Sequence, residues 1–264
     1  MQTIQWELVP NWFWGLWITV VGSVIGSFLN VCIYRLPRDE SITFPPSHCP
    51  RCNARIAAYD NIPILSYLIL WRKCRHCKEP ISLQYPIIEA INAALYLLLF
   101  WQFGLTWELP VYALFTSAML VVAVIDYYHQ IIPNEISLGG LPFGLLAAIF
   151  ILQIGWKESL LGMISGGGVL LAFGLFWLII FKIEGMGMGD VKLMGMVGAF
   201  LGWKLALFTI MFGSLCGSIV GILLIGLKKE NLKTKIPFGS FLAPSAVLAL
   251  FSGNRIIDWY INLL

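Results

Sequence analysis

Long apolar runs separated by short polar connections make up most of this chain. Runs over residues 8–34, 90–107, 109–125, 136–156, 159–181, 205–227 and 236–254 carry no charged residue or almost none. A helix needs about 20 apolar residues to cross the hydrocarbon core of a bilayer, so each run predicts a membrane span. A shorter apolar segment, 193–203, lies between the fifth and sixth runs and predicts a further, marginal one. The expected fold is an all-α polytopic membrane protein of about eight transmembrane helices. Residues 1–34 contain no Lys or Arg, and the apolar stretch exceeds a signal-peptide core, so the first run is read as a retained span.

Composition agrees with lipid as the solvent. Of 264 residues 59% are apolar and 12% charged, against about a quarter charged in a soluble domain. Cytoplasmic connections are enriched in Lys and Arg. Eight of the 17 basic residues fall in 35–85, and threading eight spans from there puts Lys182, Lys192, Lys228, Lys229, Lys233 and Lys235 on the same side. Only Lys157, Lys204 and Arg255 remain opposite. The expectation is a cytoplasmic 35–85 loop with both termini outside. The net charge of +3 is then a topology signal and implies no nucleic-acid partner.

Glycines recur inside the spans, at Gly22, Gly26, 166–168, Gly213, Gly217 and Gly221. Small residues four apart let membrane helices approach closely, which is the role expected of them.

The 35–85 loop is the one stretch long and polar enough to fold outside lipid, yet too small for a self-sufficient core. It holds two CxxC pairs, Cys49/Cys52 and Cys74/Cys77, separated by 21 residues. Two such pairs can each form a tight turn that aims two thiolates at one ion. In the cytoplasm disulfides rarely persist, so a zinc-ribbon-like loop with a structural, closed four-sulfur site is expected. His48 and His76 are rival ligands, expected to face solvent. Cys32 and Cys216 lie within spans and are read as packing residues.

Ionisable residues at membrane depth are functional candidates. Asp126 ends the third run, and Asp190 follows Gly187-Met188-Gly189 at the start of the short segment. The threading puts both near the cytoplasmic boundary. Two carboxylates at one depth can share a proton and activate a water between them. Gly187 and Gly189 remove side chains ahead of Asp190, so that a substrate backbone can approach. Helix dipoles predict that Asp190, at a helix start, is the ionised base, and Asp126, at a helix end, the protonated acid. His129 is expected to be solvated, and Lys192 to reach towards the interface.

Gly-Met-Gly-Asp190 is a GxGD motif, and the chain resembles the bacterial prepilin leader peptidases that are also N-methyltransferases. The likeness runs through Gly26–Val31 with Tyr34-Arg35-Leu36-Pro37, the paired CxxC loop, Tyr59-Asp60-Asn61-Ile62-Pro63, Tyr85-Pro86 with Glu89, the Asp126 segment, Gly187–Lys192 and Ile236-Pro237-Phe238-Gly239. The resemblance implies a multi-pass inner-membrane enzyme in which Asp126 and Asp190 cut prepilins and pseudopilins after a glycine at the cytoplasmic boundary. It further implies that the new N-terminal residue is methylated from S-adenosylmethionine. Residues 1–34 would be a first span, 35–85 a methyltransferase-associated zinc loop and 86–264 the peptidase domain. Asn30 and Glu89 are candidates for the methyltransferase pocket; no nucleotide fingerprint follows a strand, so that pocket rests on resemblance. The family often has Gly-Lys-Cys and Pro-Phe-Gly-Pro where this chain has Arg72-Lys73-Cys74 and Pro237-Phe238-Gly239-Ser240.

Two other classes fit parts of the pattern. An ion or proton-coupled transporter also uses membrane carboxylates, but predicts them near the midplane and in related halves. A membrane-anchored zinc adaptor would leave the two aspartates without a role.

Overall fold

The computed structural model describes residues 10–182, 186–227 and 237–263. The first residues of the predicted first span, Glu184, Gly185, the basic cluster Lys228, Lys229, Lys233 and Lys235, and Ile236 lie outside the described residues. Two compact units, Met1–Val121 and Val122–Leu264, divide the chain inside one helix.

In the first unit α1 (Asn11–Arg35) packs along α3 (Gln84–Phe103). The contact is close because α1 presents glycine to it: a Cβ at Gly26 would lie 2.7 Å from Glu89 Cα, and one at Gly22 2.9 Å from Ala93 Cα. Side-chain hydrogen bonds reinforce the seam. Fully buried Asn92 donates to Gly22 O (2.7 Å) and accepts from Ser117 Oγ (2.9 Å) on α4 (Glu108–His129), whose hydroxyl also meets Tyr96 OH at 3.2 Å. In lipid such bonds join helices that apolar contact alone does not drive together.

Between α1 and α3 the loop forms 3-10 turns at Leu36–Arg38 and Ala58–Asn61 and the short α2 (Leu65–Ile69). Among the described residues no strand forms in this loop, so the cysteine turns stand without a ribbon sheet. Two isolated bridges, His48 with Arg55 and Lys73 with Pro80, each close one CxxC turn. Prolines at 45, 46, 50, 63 and 80 deprive the segment of the donors that a β-ladder needs.

The second unit contains the end of α4 followed by α5 (Asn134–Phe150), α6 (Gly155–Phe181), α7 (Met188–Gly226), α8 (Gly239–Leu248), a π turn over Ala249–Gly253, and α9 (Asn254–Ile261). Gly202, at φ 78° and ψ 174°, interrupts α7. A Cβ at Gly166 of α6 would meet both Met194, at its carbonyl carbon (3.1 Å), and Ala206 Cβ (3.4 Å). In a straight helix twelve residues span about 18 Å, so the chain doubles back at Gly202. The expected short segment 193–203 and the run 205–227 are therefore two arms of one interrupted element. Close packing is borne out at Gly166, Gly167 and Gly213, whereas a Cβ at Gly168 would meet nothing within 4 Å.

Among the described residues six helical stretches are long and apolar enough to cross a membrane, against the eight spans expected. The difference lies in α5, with 17 residues, and in the first arm of α7, whose residues 188–201 extend about 21 Å, short of a 30 Å core.

Candidate functional site

Asp126 lies one turn before the end of α4 and is buried. Its Oδ2 accepts the backbone N–H of Ser240 at 2.7 Å, and Ser240 Oγ stands 3.2 Å from the same oxygen. The reason is local: the first N–H groups of a helix have no intrahelical partner, and Ser240 is in the first turn of α8. Gly239 permits the approach, since a Cβ there would lie 3.0 Å from Asp126 Oδ2.

Asp190 sits in the first turn of α7, with its own N–H donated to Gly187 O (3.1 Å). It is close enough to Asp126 for the two carboxylates to interact electrostatically. Ile132 lies between their glycine neighbours: a Cβ at Gly189 would be 3.2 Å from Ile132 Cβ, and one at Gly239 3.0 Å from Ile132 Cδ1. Exposed Gly187 borders the Asp190 carboxylate, at 3.2 Å from its Cβ position to Oδ2. The helix continues through His129, which is exposed as expected. Lys192 Nζ donates to Asn134 Oδ1 at 2.9 Å in an exposed hydrogen bond and ties the start of α7 to that of α5.

The sulfurs of Cys49, Cys52, Cys74 and Cys77 lie within 4.8 Å of one another, and no disulfide joins them. Zn–S bonds of about 2.3 Å in a tetrahedron put the sulfurs about 3.8 Å apart; Cys49 and Cys77 stand at 3.9 Å. The four residues therefore fit one zinc ion. Each turn is built alike, with Cys49 N–H on Ala54 O (2.9 Å) and Cys74 N–H on Glu79 O (2.8 Å). Backbone N–H groups of Cys77 and His76 aimed at the Cys74 sulfur bring that thiol down to about 7. For Cys77 the Glu79 N–H pulls downward, but burial and contacts with the other three sulfurs outweigh it and push the thiol up to about 12. His48 places Nδ1 3.1 Å from Pro46 O and His76 is exposed, so neither belongs to the cluster. Arg75 grips Asp60 with two hydrogen bonds (2.7 and 2.5 Å) and holds its carboxyl below the ordinary carboxylate range.

Asn30 and Glu89 come together on the wall of a cavity of about 340 Å³ in the first unit. Both are buried. Glu89 Oε2 accepts the Ile64 N–H at 2.7 Å, and Asn30 Nδ2 donates to Tyr85 O at 3.1 Å. Asn30 Oδ1 has no hydrogen-bond partner among the described residues. Cys49 and Cys74 line the same cavity. The aspartates belong to the other unit. Sequence reasoning missed Ser240, Ile132 and the Asn92–Ser117 pair. Ser240 stood out only as a departure from a family pattern, and Asn92 only as an amide inside an apolar run.

Residues 20–103 match the Bacterial Peptidase A24 N-terminal domain, and residues 113–222 match the Type IV leader peptidase family. Among curated proteins, the chain is similar to the prepilin leader peptidase/N-methyltransferase of Pseudomonas aeruginosa, at 36% identity over 92% of each chain. The protein of that name from Legionella pneumophila is 35% identical over 95% of this chain and 96% of its own. The one from Aeromonas salmonicida is 33% identical over 99% of each. No solved structure matches. With identities of 33% to 36% sustained over at least 92% of its length, the chain belongs to the type IV leader peptidase family.

Proposed function

We propose that this protein cuts the leader from type IV prepilins and pseudopilins at the cytoplasmic face of the inner membrane and N-methylates the residue so exposed. The observation that carries the reading is that Ile132 packs against the glycines beside both Asp126 and Asp190, in a chain whose relatives bear both activities in their names. One carboxylate, ionised, takes a proton from a water as its oxygen attacks the scissile carbonyl. The other, protonated, hydrogen-bonds the carbonyl oxygen. Collapse of the tetrahedral adduct breaks the C–N bond, and the leaving amine takes a proton from the pair. Exposed Gly187 leaves the substrate backbone room beside Asp190, while Gly189 lets Ile132 pack beside the carboxylate.

In this reading cleavage belongs to residues 86–264 and methylation to the 35–85 loop with the helix ends around it. Zinc on Cys49, Cys52, Cys74 and Cys77 has a structural role, because four thiolates leave no open position for water. Asn30 and Glu89 suit S-adenosylmethionine: a buried carboxylate and an unpaired carbonyl oxygen beside a cavity complement a donor-rich cation. When bound, it would supply the methyl group, and Glu89 would hold its cationic end. The basic 35–85 loop supports a cytoplasmic setting for both sites, at the depth where a basic leader meets a hydrophobic pilin helix.

The test is mass spectrometry of a prepilin co-expressed with this chain. Loss of the leader and gain of one methyl group are expected. A full-length, unmodified prepilin overturns the reading.

A further inference from the structure

Asp126 occupies two helix ends at once. It is near the C-terminus of α4, where the dipole opposes a negative charge, and it closes the first turn of α8, where the dipole and a free N–H favour one. The hydrogen bonds decide between them. The Ser240 amide has one acceptor, Asp126 Oδ2, at 2.7 Å, which is in the range of a charge-assisted N–H···O⁻ bond. The Ser240 hydroxyl has a single proton and two acceptors, Ala123 O at 3.0 Å and Asp126 Oδ2 at 3.2 Å. It therefore anchors the turn to α4 and gives Asp126 only a shared bond.

We propose that Ser240 is a positioning residue for cleavage, whose backbone N–H holds Asp126 as the ionised base and leaves the shared proton of the pair on Asp190. This inference rests on the reading of Asp126 and Asp190 as the cleaving pair, and it reverses the assignment that the dipoles of α4 and α7 alone predict. Among the described residues the other groups around Asp126 do not compete. Asp190 from α7 interacts with it electrostatically, Ile132 is apolar, and Lys192 is engaged with Asn134. On its own helix Tyr127, Tyr128 and His129 are exposed.

The experiment compares pH profiles of kcat/KM for prepilin cleavage in the wild type, Ser240→Ala and Ser240→Pro. Proline is tolerated in the first turn of a helix and removes the N–H, whereas alanine removes only the shared hydroxyl. A donor to a carboxylate favours its charged form, so losing the donor makes the base protonate at higher pH. In Ser240→Pro the acid limb of the profile is expected to move up by about one to two pH units, with kcat reduced and KM little changed. In Ser240→Ala it is expected to move by less than about half a unit. An unmoved limb in Ser240→Pro overturns the inference, whatever happens to kcat. Should that variant fail to fold, infrared spectroscopy of Asp190→Asn at the wild-type pH of maximal activity decides instead: a protonated Asp126 overturns the proposal and a carboxylate supports it. Asp126→Asn is assayed alongside. If it cleaves normally, the reading of the pair falls and this inference with it. If it is inactive while the Ser240→Pro limb stays put, only the role of Ser240 falls.

Discussion

Ser240 donates its backbone N–H to Asp126 Oδ2 across 2.7 Å, joining residues 114 positions apart in the chain. A carboxylate near the end of one helix thereby serves as the cap that α8 lacks from its own sequence. The same oxygen is hemmed in by Gly239, so small changes around it are expected to be felt in catalysis.

Replacing either carboxyl group by its amide removes the proton exchange on which a shared pair depends. Asp126→Asn and Asp190→Asn are each expected to lower prepilin cleavage by at least about 10²-fold, with membrane insertion and zinc content retained. A gel-shift assay of leader loss checks this, and near-normal activity in either variant rules out the pair.

Gly239→Ala and Gly187→Ala probe the two sides of the site unequally. The new methyl of Gly239→Ala would crowd both Asp126 Oδ2 and Ile132 Cδ1 at 3.0 Å, whereas that of Gly187→Ala meets only Asp190 Oδ2, at 3.2 Å. A shift of a few tenths of an ångström in a reacting group costs about three- to tenfold in rate. Steady-state cleavage is expected to fall by that factor or more in Gly239→Ala and by less in Gly187→Ala. The opposite order would place the critical packing on the Asp190 side.

The cysteine loop is expected to bind one zinc per chain, lost on replacing any of Cys49, Cys52, Cys74 or Cys77 by serine. A closed structural site would let methylation fail before cleavage does. Elemental analysis together with mass spectrometry of the product reports both, and zinc-free wild-type protein with full methylation would refute the assignment.

Asp60→Asn removes the partner of half-exposed Arg75, within the second cysteine turn. Such pairs contribute modestly, so release of zinc to a chelator is expected to quicken by about two- to fivefold. Arg75 holds the Asp60 carboxyl below its ordinary value of 3.8. A carboxyl with a depressed folded-state value stabilises the loop above the unfolded value and loses that contribution only as pH falls through the folded one. The difference between wild type and variant is therefore expected to stay constant from about pH 5 to 8. A difference that fades within that window would show the pair to be titrating there.

Gly26→Ala and Gly168→Ala test the reading of the membrane glycines. The first sets a methyl 2.7 Å from Glu89 Cα, and the second meets nothing within 4 Å. Overpacking of this kind costs about 1–3 kcal/mol. Gly26→Ala is expected to melt several degrees lower in detergent and Gly168→Ala to melt like the wild type, as thermal unfolding would record.

Much was legible in the sequence because it is written in local patterns. Uncharged length marks a membrane helix, since lipid offers no partner for a free peptide group. Paired CxxC spacing marks a metal turn, since each pair supplies its two ligands within one turn. The two aspartates stood out because charge at that depth is rare. What the sequence could not determine depends on segments meeting across long separations. The reversal at Gly202 turned a marginal segment and its neighbour into two arms of one element. The prolines of the loop left the expected ribbon as two closed turns without strands. Above all, the end of α4 met the beginning of α8. Dipoles computed helix by helix assign the proton of the pair to Asp126, but a hydrogen bond from a residue 114 positions away acts on that carboxylate at shorter range and with more energy than either dipole. Only the packed structure brings Ser240 to it.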